Sequence, residues 1–125
     1  MQLKNNLYTI TDKETNGNDC SFTLSLIKDC VIYKAHFPEK PITPGVCITQ
    51  IAKELAEETL NCCLTLVKVK NVKFISIINP LETQSVVYDI KNIKQADGVV
   101  SFQAVARDQD NIFAKISIVC TICNR

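Results

Sequence analysis

Apolar and polar side chains alternate along residues 7–12 and 20–27, and the turn sequence Asn16-Gly17-Asn18-Asp19 lies between the two stretches. Alternation places every second side chain on the same face of a β-strand, and Asn and Gly favour tight turns. The pattern therefore predicts a β-hairpin near the start of the chain.

The next stretch, residues 45–61, repeats with the period of a helix. Its apolar side chains fall on one broad arc of a helical wheel, which predicts a single amphipathic helix of about four turns. Thr43 is a suitable N-cap for this helix, and Pro44 suits its first position. The arc is formed by Cys47, Ile48, Ile51, Ala52, Leu55, Ala56 and Leu60.

From residue 63 onward the chain is rich in β-branched residues, which predicts four more strands. The breaks between them are so short that we expect hairpins rather than crossovers. The predicted order β-β-α-β-β-β-β favours an α+β fold, in which a curved antiparallel sheet wraps around one long central helix. The predicted strands are 64–78, 83–94, 99–108 and 111–123, with breaks at Asn79-Pro80, Ala96-Asp97-Gly98 and Gln109-Asp110-Asn111.

Length and composition narrow the class of protein. A chain of 125 residues that is 46% hydrophobic and 22% charged fits one domain, residues 1–125, with a single core. A net charge of +1 gives no field that would attract nucleic acid or an anionic membrane. No apolar run approaches the ~18 residues that span a bilayer, and the first residues lack the apolar core of a signal peptide. We expect a cytoplasmic protein that neither inserts into membranes nor binds nucleic acid.

The chain has seven cysteines, and most have apolar neighbours. An odd number without a secretory signal favours buried thiols over disulfides. Cys120 and Cys123 form one CxxC motif, but in a strand their side chains point to opposite faces, and no second Cys/His pair has zinc-finger spacing. The sequence predicts no metal site.

The candidate chemistry lies just before the long helix. His36, the only histidine, precedes the helix start Thr43-Pro44-Gly45. An imidazole titrates near neutral pH, and a helix N-terminus offers unpaired N–H groups. The amides of Gly45 and Val46 would stabilise charge on an acyl carbonyl while His36 removes the neighbouring proton.

Two plainer interpretations of this segment stay open. A single histidine near a turn is more often a structural hydrogen-bonding residue than a base. Pro38, Pro41 and Pro44 also have the spacing of a polyproline II peptide ligand, although the segment joins predicted folded elements.

The motif His-Phe-Pro-x-x-Pro-Ile-x-Pro-Gly-Val over residues 36–46, followed by an amphipathic helix, resembles the active-site segment of the 3-hydroxyacyl-[acyl-carrier-protein] dehydratases. These enzymes have the hot-dog fold. The likeness extends along most of the chain, through Val72-Lys73-Phe74 and the break at Asn79-Pro80-Leu81. The resemblance implies that water is eliminated from a 3-hydroxyacyl thioester to give the 2-enoyl thioester, in fatty-acid or related lipid or polyene biosynthesis.

The resemblance also assigns roles. It implies that His36 is catalytic, that Gly45 and Val46 bind the thioester carbonyl, and that Phe37 and Phe74 contact substrate. It implies no cofactor beyond the phosphopantetheine of the acyl carrier protein that delivers the substrate. The expected assembly is a homodimer or higher oligomer whose sites are built from both subunits, or a heterodimer with a related dehydratase.

Three positions depart from the family pattern. Ala35 and Glu39 stand where the family usually has glycine, and Gln50 stands fourteen residues after the histidine, where the family has a catalytic Glu or Asp. Elimination needs a proton at the departing hydroxyl, and an amide cannot supply one by ionisation. Glu54 lies one helical turn later on the same side, at a position where the family often has Gln, so the resemblance implies that Glu and Gln are exchanged.

Several alternatives remain open at these positions. Glu54 is either a substitute for the missing acid or an ordinary member of the polar helix face, as we expect of Glu57 and Glu58. For the protein as a whole, three functions are considered: a slow dehydratase, a non-catalytic acyl-binding partner of a complete dehydratase, and a thioesterase of the same fold.

Two roles are considered for the lysines that follow the helix. They either contact an acidic carrier protein or protect an edge strand from aggregation; these are Lys68, Lys70 and Lys73.

Overall fold

The secondary structure follows the predicted order with one addition. The computed structural model describes residues 2–35 and 41–123, and in them lie six strands, the predicted long helix and a five-residue helix, α1, that the pattern did not predict. A helix this short carries too few residues for a period to show. The elements are β1 (Tyr8–Asn16), β2 (Asp19–Leu26), α1 (Val31–Ala35), α2 (Gly45–Leu60), β3 (Leu64–Phe74), β4 (Ser85–Ala96), β5 (Val99–Arg107) and β6 (Ile112–Ile122).

The six strands form one curved antiparallel sheet in the order β1-β2-β4-β5-β6-β3. The predicted hairpin between β3 and β4 is wrong, because β3 pairs with β6 and β4 pairs with β2 and β5. Since β3 ends at Phe74 rather than at residue 78, residues 75–84 are long enough to cross the sheet. The crossing leaves β3 as an edge strand, one of the two alternatives considered for its lysines.

The long helix α2 begins and ends close to the predicted positions. Its C-cap, Asn61, has the left-handed backbone (φ 52°) that ends many helices. The predicted N-cap is wrong: Pro44 occupies that position in an extended conformation, and no side chain caps the helix. No helix in residues 2–35 or 41–123 is long and apolar enough to cross a membrane.

The helix packs on the sheet through the predicted apolar arc, of which all members but Leu60 are buried. Tyr88 of β4 fixes its position, because the buried hydroxyl donates a hydrogen bond of 3.1 Å to the carbonyl of Ile48. Burial raises the pKa of Tyr88, so this hydroxyl stays a donor at neutral pH.

Four of the seven cysteines are buried, in agreement with the prediction for most of them: Cys20, Cys30, Cys47 and Cys120. Burial raises the pKa of Cys120 to about 11. Because the thiolate is the reactive form, this thiol is held in its unreactive state at neutral pH.

The edge strand β3 contains two bulges. Its pairing with β6 shifts between Leu66 and Lys68 and again between Val69 and Asn71. Directly paired residues share one face of a sheet, and β6 turns its buried residues Cys120, Ile118, Ile116 and Ala114 to the core. The two bulges therefore place four apolar side chains of β3 on the core face: Leu66, Val69, Val72 and Phe74.

One ion pair connects the central strands. Arg107 of β5 donates to Asp89 of β4 at 2.6 and 3.3 Å, and Ser21 of β2 donates to the same carboxylate at 2.7 Å. Burial alone would raise the pKa of Asp89, but the hydrogen bonds from Arg107 and Ser21 outweigh it, and the pKa lies below its ordinary value.

A lowered folded-state pKa stabilises the protein above the unfolded pKa, about 4, and this contribution is lost as the pH falls through the folded value. We expect Asp89→Asn to lower the free energy of unfolding by about 1 kcal/mol or less at pH 7, since the pair is partly exposed. The difference from wild type should shrink on acidification. Urea unfolding at pH 7 and at acid pH measures this difference, and Asp12→Asn, at an exposed position, is the control. A difference that grows at acid pH would contradict a lowered pKa for Asp89.

Candidate active site

The N-terminus of α2 presents two backbone donors. The carbonyl of Pro44 accepts the first bonds of the helix, from the N–H groups of Cys47 (2.9 Å) and Ile48 (3.1 Å). Gly45 and Val46 come before the first residues that donate these helical bonds. Within the described part of the chain, the N–H groups of Gly45 and Val46 donate to no acceptor. Because Val46 is also 71% exposed, this helix end can bind a carbonyl oxygen.

Phe74 lies directly over the helix start. A Cβ added to Gly45 would be 2.8 Å from Cζ of the Phe74 ring, closer than a real Cβ approaches another atom. With the ring in this position, any residue other than glycine at position 45 would force the ring to shift. The structure brings together three of the predicted substrate contacts: Gly45, Val46 and Phe74.

We expect Gly45→Ala to separate stability from activity. The added methyl group displaces the half-exposed Phe74 ring, while alanine favours the helix, so the free energy of unfolding should change by less than about 1 kcal/mol. Turnover of a thioester should fall about tenfold or more, because the displaced Phe74 ring crowds the two amides. Chemical denaturation and kcat/KM of the same samples test this.

The control for that variant is Gly45→Ala in a Phe74→Ala background. Without the ring the methyl group meets no such contact, so the second substitution should add little further loss of activity. An equal loss in both backgrounds would show that the ring is not the cause.

Buried hydrogen bonds hold the chain on both sides of the predicted base. The hydroxyls of Tyr33 in α1 and Thr43 share a hydrogen bond of 2.8 Å, and the N–H of Thr43 donates to the carbonyl of Ile78 at 2.9 Å. Burial raises the pKa of Tyr33 to about 12. His36 and Phe37 lie outside the described residues, and their predicted roles stay predictions. The structure fixes the helix that precedes them and the buried Thr43 that follows.

Glu54 is buried, 6% exposed, and its carboxylate accepts four hydrogen bonds. Oε1 accepts from the N–H of Lys4 (2.8 Å) and the hydroxyl of Tyr8 (2.9 Å). Oε2 accepts from the N–H of Leu3 (2.8 Å) and Nε2 of Gln50 (2.9 Å). This side chain is not part of a solvated polar face, because the N-terminal segment covers it.

Gln50 and Glu54 line a polar cavity of about 490 Å³ between the N-terminal segment and α2. Gln2 and Lys4 of the N-terminal segment also line it. The two positions at which the sequence departs from the dehydratase pattern are thus in contact with each other, and both face one cavity.

Glu57 and Glu58 are ion-paired, as expected. Glu58 pairs with Lys4, and Glu57 pairs with Lys53 at 3.4 Å. Glu57 also accepts from the N–H of Leu64 at 2.8 Å, and Lys53 donates to the carbonyl of Leu64 at 3.2 Å. These two side chains attach the first residue of β3 to the helix.

Sequence reasoning missed the tyrosines that complete this region. Tyr8, Tyr33 and Tyr88 are each 1% exposed or less, and each hydroxyl has a hydrogen-bond partner at or beside α2. A tyrosine at an inward-facing position could have indicated these hydrogen bonds, because the hydroxyl of a buried tyrosine needs a partner. The sequence does not say which partner it finds.

The model of the ApeI-like family, described as ApeI dehydratase, matches residues 12–117, a range that contains the His36 motif, Gln50 and Glu54. The chain belongs to the ApeI-like dehydratase family. No curated protein resembles the chain closely enough to count as a relative.

Solved structures place this ApeI-like chain in the predicted hot-dog fold. The dehydratase heterocomplex ApeI:P from Xenorhabdus doucetiae is 19% identical, with a TM-score of 0.72 over 94% of this chain and 98% of that one. A putative thioesterase, yhdA, from Lactococcus lactis is 15% identical, with a TM-score of 0.70 over 100% and 99%. A hypothetical thioesterase solved with coenzyme A, from Streptococcus pneumoniae, is 6% identical, with a TM-score of 0.67 over 94% and 87%.

Proposed function

We propose that this ApeI-like protein eliminates water from 3-hydroxyacyl thioesters carried on an acyl carrier protein. The observation that carries the proposal is the helix start at Gly45 and Val46, whose amides are available beneath an aromatic ring in a dehydratase-family chain. Removing a proton next to a thioester carbonyl places negative charge on the carbonyl oxygen. Two amides at the positive end of a helix stabilise that charge.

In the proposed reaction His36 takes the proton from Cα, the Cα–Cβ double bond forms, and the hydroxyl leaves Cβ. The leaving oxygen needs a proton to depart as water. Gln50 has no ionisable proton to give, so the proton comes from the imidazolium of His36 or from water. We therefore expect a slow dehydratase, in which Gln50 orients the hydroxyl group and Phe37 and Phe74 contact the acyl group.

A second copy of the chain completes the site in this proposal. Of the twelve large hydrophobic side chains that are exposed in the described part of the chain, seven lie between residues 66 and 77. They include all four core-face residues of β3. The exposed fraction of these side chains is smallest for Val69, at 36%, and largest for Phe74, at 51%. An acyl chain bound at Gly45 needs apolar walls, and a partner placed over β3 supplies the missing one.

Sedimentation of the purified protein tests the assembly. We expect a dimer that Val69→Glu converts to monomer, while Val99→Glu, on β5, leaves it dimeric. A wild-type monomer that forms a complex only when a related dehydratase is co-expressed would replace the homodimer with a heterocomplex. ApeI:P from Xenorhabdus doucetiae is an example of such an assembly.

The assay for the proposed activity is mass spectrometry of a 3-hydroxyacyl carrier protein before and after incubation with the enzyme. Loss of one water supports the dehydratase, and the reverse reaction is followed by hydration of the enoyl thioester. Release of free acid would instead support a thioesterase, the activity attributed to two of the similar structures. Binding without either product would support a non-catalytic partner subunit.

A further inference from the structure

Positive charge is concentrated on the four strands β3, β4, β5 and β6. They carry seven basic side chains and one acidic side chain, a net charge of +6, in a chain whose net charge is +1. The acidic residue, Asp89, pairs with one of the seven, Arg107. The other six form no ion pair within the described part of the chain. They are Lys68, Lys70, Lys73, Lys91, Lys94 and Lys115.

These lysines belong to the outer face of the sheet, the face turned away from α2. Lys115 of β6 lies between the buried Ala114 and Ile116, so its side chain points away from the core. Paired residues share one face of a sheet. Four more lysines pair with outward residues of β5 or β6 and therefore lie on this face: Lys68, Lys73, Lys91 and Lys94. We call the outer face of these four strands the basic face.

Two lysines of the basic face are directly paired. Lys73 of β3 lies opposite Lys115 of β6, and both side chains are exposed. Like charges opposite each other in a sheet destabilise the folded protein. The next pair along these strands is Phe74 and Ala114, and Phe74 lies over the helix start at Gly45. Unbalanced positive charge is thus held at the end of β3 that adjoins the candidate active site.

The basic face also contains a small pocket of about 120 Å³, to which Lys70 and Lys94 both contribute. The other polar side chains that line it carry hydroxyl or amide groups: Ser101, Ser117, Asn92 and Gln103. A small-molecule site usually has about 300 Å³ or more, so this pocket is too small for a substrate. Two ammonium groups beside two hydroxyls suit a single anionic group such as a carboxylate.

We propose that the basic face is the surface on which an acidic acyl carrier protein docks, with one of its carboxylates in the pocket between Lys70 and Lys94. The identity of this partner rests on the proposed function, whereas the charge of the surface does not. A carrier protein bound here lies beside the Lys73 and Lys115 pair, and its thioester reaches Gly45 around the end of β3.

The absence of aromatic side chains from this surface favours a protein partner. Phe74 is the one aromatic side chain that is exposed in the described part of the chain, and it lies on the core face of β3. Surfaces that bind membranes or single-stranded nucleic acid combine basic residues with exposed aromatic ones. Lysines among hydroxyl, amide and valine side chains instead complement an acidic protein surface.

Binding of an acyl carrier protein without its phosphopantetheine tests the docking apart from any turnover. We expect Lys70→Glu and Lys94→Glu each to weaken Kd about fivefold or more, because each change replaces an attraction by a repulsion. The wild-type Kd should also weaken as salt is added. Lys28→Glu, the same change of charge in the loop between β2 and α1, is the control and should leave Kd within about twofold of wild type.

Two outcomes of this experiment would overturn the proposal. One is an unchanged Kd for the carrier protein in both variants. The other uses vesicles of phosphatidylglycerol as a second probe. If the wild type binds the vesicles, both variants lose that binding and the Kd for the carrier protein stays the same, the basic face binds a membrane.

Lys73→Glu should raise stability and weaken docking at the same time. The new carboxylate lies opposite Lys115, so a repulsive pair becomes an attractive one and the urea midpoint of unfolding should rise. Binding of the carrier protein should weaken, because the same change removes positive charge from the basic face. A gain of stability with no loss of binding would contradict the proposal.

Two substrates separate the docking from the proposed reaction. Lys94→Glu should lower kcat/KM about fivefold or more for a 3-hydroxyacyl group on the carrier protein, and should leave it within about twofold for the same group on pantetheine. Equal losses with both substrates would overturn the docking surface. A wild type that binds the carrier protein but eliminates water from neither substrate would contradict the proposed function and leave the docking surface intact.

Discussion

Replacing His36 by alanine is expected to lower kcat for 3-hydroxyacyl thioesters by about 10²–10⁴-fold, the usual loss when a positioned base is removed. In the proposed site the Gly45 and Val46 amides, which this substitution does not touch, hold the thioester, so KM should change less than kcat. Lys34→Ala, an exposed change two residues away, is the control and should keep wild-type turnover. Equal activity of His36→Ala and wild type would exclude His36 as the base.

The pH dependence of the same reaction gives an independent test. A base acts in its unprotonated form, so kcat/KM should rise with pH through the imidazole pKa, ordinarily about 6.5. His36 is the only histidine in the chain, and a single histidine signal can therefore be titrated alongside the kinetics. A kinetic pKa that differs from the titration of that signal would assign the step to another group.

Gln50→Glu is expected to raise the dehydration rate, by up to the 10²–10⁴-fold that a general acid contributes. The new carboxylate would lie beside Glu54, whose Oε2 is 2.9 Å from Nε2 of Gln50. Two carboxylates this close cannot both ionise easily, so the pair keeps one proton to a higher pH than a single carboxyl group. That shared proton is the acid that the natural sequence lacks.

The same substitution should make stability depend on pH. The pair binds a proton more tightly in the folded state than in the unfolded state, so the variant loses stability as the pH rises through the raised pKa. Urea unfolding at pH 5 and at pH 8 measures this effect. The free energy of unfolding of Gln50→Glu should lie further below that of wild type at pH 8 than at pH 5.

The exchange variant, Gln50→Glu combined with Glu54→Gln, is the control for this repulsion. It restores one carboxylate and one amide, in the order usual for the family that the sequence resembles. We expect it to recover most of the stability at pH 8. If Gln50→Glu shows no gain in rate at any pH while the protein stays folded, the missing acid is not what limits the proposed reaction.

The sequence predicts a helix or a strand well where the side-chain pattern lies within that one segment. The helix over residues 45–60 and the six strands follow from side-chain periods that each segment carries by itself. The path from β3 to β4 was predicted wrongly, because it depends on where Phe74 ends its strand and on which neighbour β6 pairs with. Pairing partners are a property of the whole sheet and leave little trace in a single segment.

Within the site, the sequence indicated the Gly45 and Val46 amides, since a Pro-Gly pair before an amphipathic run is a local signal. It also placed Gln50 and Glu54 on one side of the helix. It could not predict that residues 3, 4 and 8 bury Glu54, because those donors are two backbone groups and a tyrosine from about fifty positions earlier. For the same reason Thr43, a good N-cap by its type, bonds instead to Tyr33.

The extra residues Val67 and Lys70 give β3 a bend that straight strands do not have. A straight, apolar edge accepts strands of any origin and lets sheets grow without limit, whereas a twice-bent edge fits only a partner with the matching shape. Removing either residue would keep the inward and outward sides of the remaining strand as they are. It would also make the exposed edge of the sheet flatter, and we expect the shortened chain to assemble into fibres.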